Sequence, residues 1–387
     1  MAYRKFTADQ LFDGYHLHTG KVLVTDESGR VEEVVPEDEA GGEVERLEGI
    51  LTPGLINCHC HLELSHLNGV IPPQTGLVDF LCAVIAERNF TPDAIQAAMQ
   101  RAGEELLHNG IVAVGDICNT ADTAELKQNS RIRWHNFVEV LGLSEDVAES
   151  NFQRNRAVAA ELDRRQPLAH HTTLAPHAPY SVAPGLLQLI NAATEGQVIT
   201  IHNQESPAED ELFRTGGGDF LRLFRQIGYS TSPLAVTGRS SIRSWLPHFN
   251  RGQTILLVHN TYMADEDIVW ANAHAAEKGL HLVYCLCPLA NRYIEDRLPP
   301  VERLVAHGCR LVLGTDSYAS NRQLSIAAEL QVLLQHTTLS LEELLRMATR
   351  NGARALRWDD ALGSFEPGKQ PGVVLLAPDA GSSRRVL

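Results

Sequence analysis

Short apolar runs recur along this chain at strand length, and several of them stop on a histidine or a carboxylate. Leu55-Ile56-Asn57-Cys58-His59-Cys60-His61 comes first, then Thr173-Leu174-Ala175-Pro176-His177 and Val198-Ile199-Thr200-Ile201-His202. Ile255-Leu256-Leu257-Val258-His259 and Leu311-Val312-Leu313-Gly314-Thr315-Asp316 follow. The runs 51–58, 111–117, 135–141, 171–176, 197–202, 254–259, 281–286 and 309–315 read as strands. Between them, 92–109, 147–165, 183–194, 265–278 and 324–336 carry apolar residues at helical spacing. Strands alternating with helices predict a parallel sheet. Eight of them predict an α/β fold closed as a (β/α)8 TIM barrel, whose chemistry sits at the C-terminal ends of its strands.

The two ends of the chain have a different texture. Residues 1–50 hold short β-like pieces, His16 to Val24 and Arg30 to Val35, with Asp26-Glu27-Ser28-Gly29 as a turn. Near the other end, Leu362 to Lys369 leads into Val373-Val374-Leu375-Leu376. The expected organisation is a small β-sandwich from 1–50 and 358–387 around a catalytic barrel over 51–357. The stretch 206–250, with Gly216-Gly217-Gly218, is expected to cover the active site as a helix plus loop.

Composition narrows the classes of function. The chain has 387 residues, of which 44% are hydrophobic and 21% charged, as in an ordinary globular protein. It has no apolar run of the length needed for a membrane span. Its start, Met1-Ala2-Tyr3-Arg4-Lys5-Phe6, lacks the apolar core of a signal peptide, so a cytoplasmic location is expected. A net charge of −15 argues against a nucleic-acid partner and leaves a small-molecule substrate. The seven cysteines show no disulfide spacing, and Cys285-x-Cys287 reads as core packing.

The candidate chemistry lies at the strand ends. Residues i and i+2 of a strand share a face, so His59 and His61 point the same way and can chelate one ion. His202 ends the fifth strand and Asp316 the eighth. Three imidazoles and one carboxylate suit one divalent metal, zinc first and ferrous iron second. Glu205, just past the fifth strand, is placed to move protons between an attacking water and a substrate ring nitrogen. His259 ends the sixth strand, within reach of a metal-bound water. No lysine ends the fourth strand, so a mononuclear centre is expected.

These residues, in this order, resemble the amidohydrolase superfamily in its cytosine deaminase-like and chlorohydrolase-like branch. Pro53-Gly54 before the His59-x-His61 pair, His202 with Glu205, His259, Gly314-Thr315-Asp316 and the closing Gly363-Ser364-Phe365-Glu366-Pro367-Gly368-Lys369 carry the resemblance. It implies His59, His61, His202 and Asp316 as metal ligands. It also implies Glu205 as the donor to the ring nitrogen, and His259 with Asp316 as handlers of the water proton. Ala175-Pro176-His177-Ala178-Pro179-Tyr180-Ser181 is similar to a motif of the adenosine-type deaminases, in which the histidine contacts substrate. Glu87 falls 28 residues after His59, near where those enzymes place a ribose-binding glutamate. His61-Leu62-Glu63-Leu64-Ser65 and Gly76-Leu77-Val78-Asp79-Phe80 resemble the enzymes that deaminate 6-aminodeoxyfutalosine, an intermediate of a menaquinone pathway. There Glu63 is either a site residue or a loop carboxylate.

Two segments depart from the family pattern. Gln370-Pro371-Gly372 stands where Asp-Ala-Asp is usual, and Cys287-Pro288-Leu289-Ala290-Asn291 where Cys-Pro-Arg-Ser-Asn is usual. The resemblance further implies a homodimer. The expected function is metal-dependent deamination of a 6-aminopurine nucleoside, 6-aminodeoxyfutalosine first. The alternatives are S-adenosylhomocysteine, methylthioadenosine or adenosine, then guanine deamination or chlorohydrolysis. Outside the enzymes, the alternative is a catalytically dead barrel scaffold.

Overall fold

The computed structural model describes residues 3–87, 89–165 and 170–387. The barrel strands are β1 (Leu55–Cys60), β2 (Ile111–Cys118), β3 (Arg133–Val140), β4 (His171–Pro176), β5 (Val198–Asn203), β6 (Thr254–His259), β7 (His281–Leu286) and β8 (Leu311–Leu313). They form two parallel sheets, ordered β4-β3-β2-β1 and β5-β6-β7-β8. The sheets meet at two seams. At one, His202 N donates to His177 O at 3.0 Å, and Thr173 Oγ1 donates to Val198 O at 2.9 Å. At the other, Thr315 N and Asp316 N both donate to His59 O, at 3.0 and 3.1 Å. Both seams therefore run through residues of the candidate site.

The strands are buried on both faces, as a barrel wrapped in helices requires. Along β5 and β6, Ile199, Ile201, Ile255 and Leu257 pack with the surrounding helices. Leu256 and Val258 alternate with them and fall in a second cluster with Val283 and Cys285. The helices begin and end where local chemistry favours it. Pro92–His108 starts on Thr91, whose Oγ1 accepts from Ala94 N at 3.3 Å. Asp265–Lys278 stops at Gly279, whose φ of 68° closes the helix in the left-handed region.

Two expectations need correction. The run 51–58 is not one strand. Ile50–Pro53 pairs antiparallel with Val373–Leu376 in a terminal sheet, and the barrel begins at Leu55. The break falls at Gly54, where a Cβ would meet Val112 Cγ1 at 2.2 Å and Pro371 O at 2.5 Å. The final strand is only Leu311–Leu313, because the chain must turn inward to reach β1. Gly314 permits this, since a Cβ there would lie 2.8–3.0 Å from the backbone and Cβ of His59.

The terminal segments form two further sheets. One holds Tyr3–Thr7, Lys21–Asp26, Val31–Pro36 and Val44–Arg46. The other holds Gln10–Phe12, Leu17–His18, Ile50–Pro53, Val373–Leu376 and Ser383–Arg385. Phe6, Leu11, Leu23, Val31, Leu51, Phe365, Val373 and Leu375 pack between them. The expected run from His16 to Val24 is broken at Gly20, which turns the chain at φ 64°. Among the described residues, no helix is long and apolar enough to cross a membrane.

Candidate metal centre and active site

The histidines and Asp316 converge at the C-terminal mouth of the barrel. His61 Nε2 lies 3.1 Å from His59 Nε2 and 3.3 Å from His202 Nε2. Asp316 Oδ1 lies 3.5 Å from His59 Nε2 and 3.4 Å from His61 Nε2. His202 Nδ1 lies 2.7 Å from His177 O, a partner that only accepts, so this nitrogen carries the proton and Nε2 presents a lone pair. Burial, with neighbouring histidines adding to it, pushes His61 down to about 3 and holds His202 well below the ordinary imidazole range. Both rings are therefore neutral, as ligands must be. Burial alone would raise Asp316. The hydrogen bond to His59 and the adjacent His61 and His259 imidazoles outweigh it and hold the carboxyl below its ordinary value. Nitrogen lone pairs converging this closely, with a carboxylate beside them, fit a divalent cation of the zinc type.

Several residues hold this geometry. Asn57 clips β1 to the end of β8, accepting from Thr315 N at 3.1 Å and donating to Thr315 Oγ1 at 2.8 Å. Ser320 Oγ donates to Asp316 Oδ2. Gln204, His259, Asn260 and Asp316 all have positive φ, at 44°, 72°, 57° and 56°. Left-handed backbone at non-glycine residues is sterically costly, and its clustering here marks the strand ends as a constrained site.

Glu205 and His259 face each other across the centre, with Glu205 Oε1 3.6 Å from His259 Nε2. Burial, and then the charges of Asp316, Glu209 and Glu295, raise the Glu205 carboxyl well above its ordinary value. Burial lowers His259 to about 4. Asn291 Nδ2 lies 3.2 Å from His259 Nδ1 and donates to Thr261 Oγ1 at 2.7 Å, which orients the imidazole.

A cavity of about 490 Å³ opens above this floor. His61, His177, His202, Glu205, His259 and Asp316 form its base. Its wall is mainly apolar, built by Leu77, Phe80, Leu81, Val84 and Ile85 from one helix and Leu223, Phe224 and Ile227 from the segment 220–227. Those two pieces are clasped by Arg222 to Asp79, at 2.7 Å, and by Gln226 Nε2 to Cys82 O, at 3.1 Å. The stretch 206–250 folds as three short α-helices and a 3-10 turn rather than one helix, and it contributes Leu223, Phe224, Ile227 and Tyr229 to the cavity lining.

Not every expected residue reaches the cavity. Glu87 is the exposed C-cap of helix Leu77–Ala86, past Ile85, the last lining residue of that helix, and it is not among the lining residues. Glu63 turns away to brace a loop, accepting from Asn119 N at 3.0 Å and from Thr120 N and Oγ1 at 2.9 Å. His177 does line the cavity, with Nδ1 2.6 Å from Ser181 Oγ and Nε2 3.9 Å from Glu139 Oε1. Glu139 and Arg154 also line it and were not singled out from the sequence. Glu139 is the last residue but one of β3, so the strand-end rule that selected the histidines extends to it. Arg154 sits on helix Ala148–Arg165 and reads in sequence as an ordinary solvated cation.

Comparison with known proteins places the chain. The family model described as "Amidohydrolase family" matches residues 50–384. A 5-methylthioadenosine/S-adenosylhomocysteine deaminase of Desulforudis audaxviator is 29% identical over 378 residues, covering 92% of this chain and 80% of the relative. An aminodeoxyfutalosine deaminase of Nitratiruptor sp. is 25% identical over 335 residues, covering 84% and 78%. The crystal structure of Helicobacter pylori aminofutalosine deaminase in complex with methylthio-coformycin superposes with a TM-score of 0.80. It is 23% identical and covers 97% of this chain and 92% of that one, a likeness of fold. The chain belongs to the amidohydrolase family, a family of hydrolases acting here on carbon–nitrogen bonds.

Proposed function

We propose that this protein is a metal-dependent aminohydrolase of a 6-aminopurine nucleoside bearing a large 5′ substituent, with 6-aminodeoxyfutalosine, and so menaquinone synthesis, as the first candidate. The observation that carries this reading is the division of one cavity into a floor of imidazoles and carboxyls and an apolar wall that includes one guanidinium. A volume of about 490 Å³ suits a nucleoside with a substituent. A free base such as guanine would leave the wall formed by Leu81, Val84 and Leu223 unfilled. Arg154, an exposed lining residue, offers charge to a carboxylate carried by the substituent. The deaminases of methylthioadenosine, S-adenosylhomocysteine and aminodeoxyfutalosine among the relatives support the same class.

In this reading His59, His61, His202 and Asp316 hold one divalent metal, zinc or ferrous iron. When bound, that metal lowers the pKa of a coordinated water to about 7, so that a nucleophile exists at neutral pH. Asp316 and His259 accept the proton released as water attacks the carbon bearing the amino group. Glu205, whose burial favours the protonated carboxyl, donates to the adjacent ring nitrogen and regains a proton from the attacking oxygen, while the proton taken up by Asp316 and His259 leaves with the amino group as ammonia. His177 and Glu139, at the ends of β4 and β3, are placed to touch the bound nucleoside. No ribose-reading role is proposed for Glu87.

The test is ammonia release, with zinc present, from aminodeoxyfutalosine, methylthioadenosine, S-adenosylhomocysteine, adenosine, adenine, guanine and cytosine. Turnover of the substituted nucleosides above the free bases is expected. Turnover confined to free bases contradicts the reading, and a protein that binds no metal and turns over none of the panel is a scaffold.

A further inference from the structure

The turn that presents Glu205 is unusual in how it is held. After β5 the chain passes through Gln204, at φ 44°, and Glu205 before helix Pro207–Thr215 begins on Ser206. Ser206 makes no side-chain cap, and its Oγ is buried with no hydrogen-bond partner among the described residues. Glu209, at the third helical position, reaches back in its place. In the usual capping box such a glutamate accepts from the N-cap amide. Here it reaches past the N-cap, Oε1 accepting from Gln204 N at 3.0 Å and Oε2 from Glu205 N at 3.3 Å.

Glu209 is fully buried, and among the described residues no cation pairs with it. It is not among the cavity-lining residues, so it does not touch a bound substrate. A carboxyl buried without a cation is costly, and here it is compensated by two consecutive backbone donors at one functional turn. The Gln204 side chain is pinned separately, donating to Asp267 Oδ2 at 3.0 Å and Asp210 Oδ1 at 3.3 Å. The Gln204 carbonyl accepts from Tyr262 N at 2.9 Å, and the amides of Gln204 and Glu205 are held by Glu209. Without it, two buried amides lose their acceptor and the left-handed turn can relax, carrying Glu205 away from His259.

We infer that Glu209 is a positioning residue that fixes the backbone of Glu205 over the metal centre. The inference rests on the proton-transfer role of Glu205 proposed above. Its test compares Glu209→Ala, Glu209→Gln and Glu205→Gln, each purified and assayed with the zinc enzyme's best nucleoside. Metal content and thermal unfolding are read alongside kcat and KM.

Glu209→Ala is expected to lose about 10–100-fold in kcat, with one equivalent of metal retained and KM changed less than about twofold. Glu209→Gln, which keeps one acceptor, should fall between Ala and wild type. A folded, metal-loaded Glu209 variant with wild-type kcat overturns the inference. Loss of metal in parallel with activity also overturns it, as does failure of both variants to fold, because Glu209 is then only structural. If Glu205→Gln itself keeps full turnover, the role of Glu205 falls instead, and the two failures are distinguishable.

Discussion

The floor and the wall of the cavity are built by different means. The floor comes from strand ends, each residue fixed by a seam or a clip such as Asn57 to Thr315, and is almost wholly buried. The wall comes from helix Leu77–Ala86, the segment 220–227 and the stretch after β3 that carries Leu141, Leu143 and Arg154, the first two joined to each other by the surface contacts of Arg222 and Gln226. Ile85 and Ile227 remain 40% exposed at its rim. The difference separates reaction from substrate. In the proposed reading, chemistry that must be placed to within fractions of an ångström sits on the rigid scaffold, whereas the substituent is read by elements outside it, which can vary at less cost to the fold.

This contrast can be broken most severely at the floor. His202→Ala removes a proposed ligand, and the purified variant should lose its metal and more than about 10⁴-fold in turnover, read by elemental analysis and ammonia release. Glu205→Gln should keep metal and fold yet lose about 10²–10⁴-fold, because a proton carrier rather than a ligand is gone. Near-normal turnover would remove Glu205 from the mechanism.

At the wall the effects should be smaller and selective. Arg154→Ala should raise KM about tenfold for a carboxylate-bearing nucleoside and leave methylthioadenosine unchanged, the expected cost of one charge-assisted contact. An equal effect on both substrates would show that Arg154 does not read the substituent.

An effect on stability rather than on turnover lies behind the floor. Burial pushes Glu329 up to about 8, even though Leu289 N and Asn321 Nδ2 donate to it. Between 4.5 and about 8 the folded chain keeps a proton that the unfolded chain has released. The stability this contributes is fully present below 4.5 and is lost as pH rises through about 8. Glu329→Gln should flatten that fall by on the order of 1 kcal/mol per pH unit across this window, measured by urea unfolding. An unchanged slope would place the ionisation elsewhere.

The reach of the sequence follows the same division. His59, His61, His202, His259 and Asp316 stand out because each interrupts an apolar strand, and strand ends in a barrel converge on one mouth. The same logic covers Glu139, whose run reads less clearly because its metal-type end is masked by Val140. Glu87 shows the limit of spacing arguments. Its distance from His59 along the chain says nothing of where helix Leu77–Ala86 stops, and that end point leaves the side chain outside. Arg154 is illegible for another reason, since a cation on a helix's polar face looks the same over a cavity as over solvent. The break at Gly54 and the short β8 depend on close backbone approaches, which no single-residue preference encodes.

The central claim is one metal, held by this floor, in a nucleoside aminohydrolase. The most direct measurement is to strip the protein with a chelator, titrate zinc back, and follow ammonia release from aminodeoxyfutalosine and methylthioadenosine. The account predicts activity that is absent without metal and saturates at one equivalent per chain. Activity indifferent to metal, or saturating only at two equivalents, would contradict it.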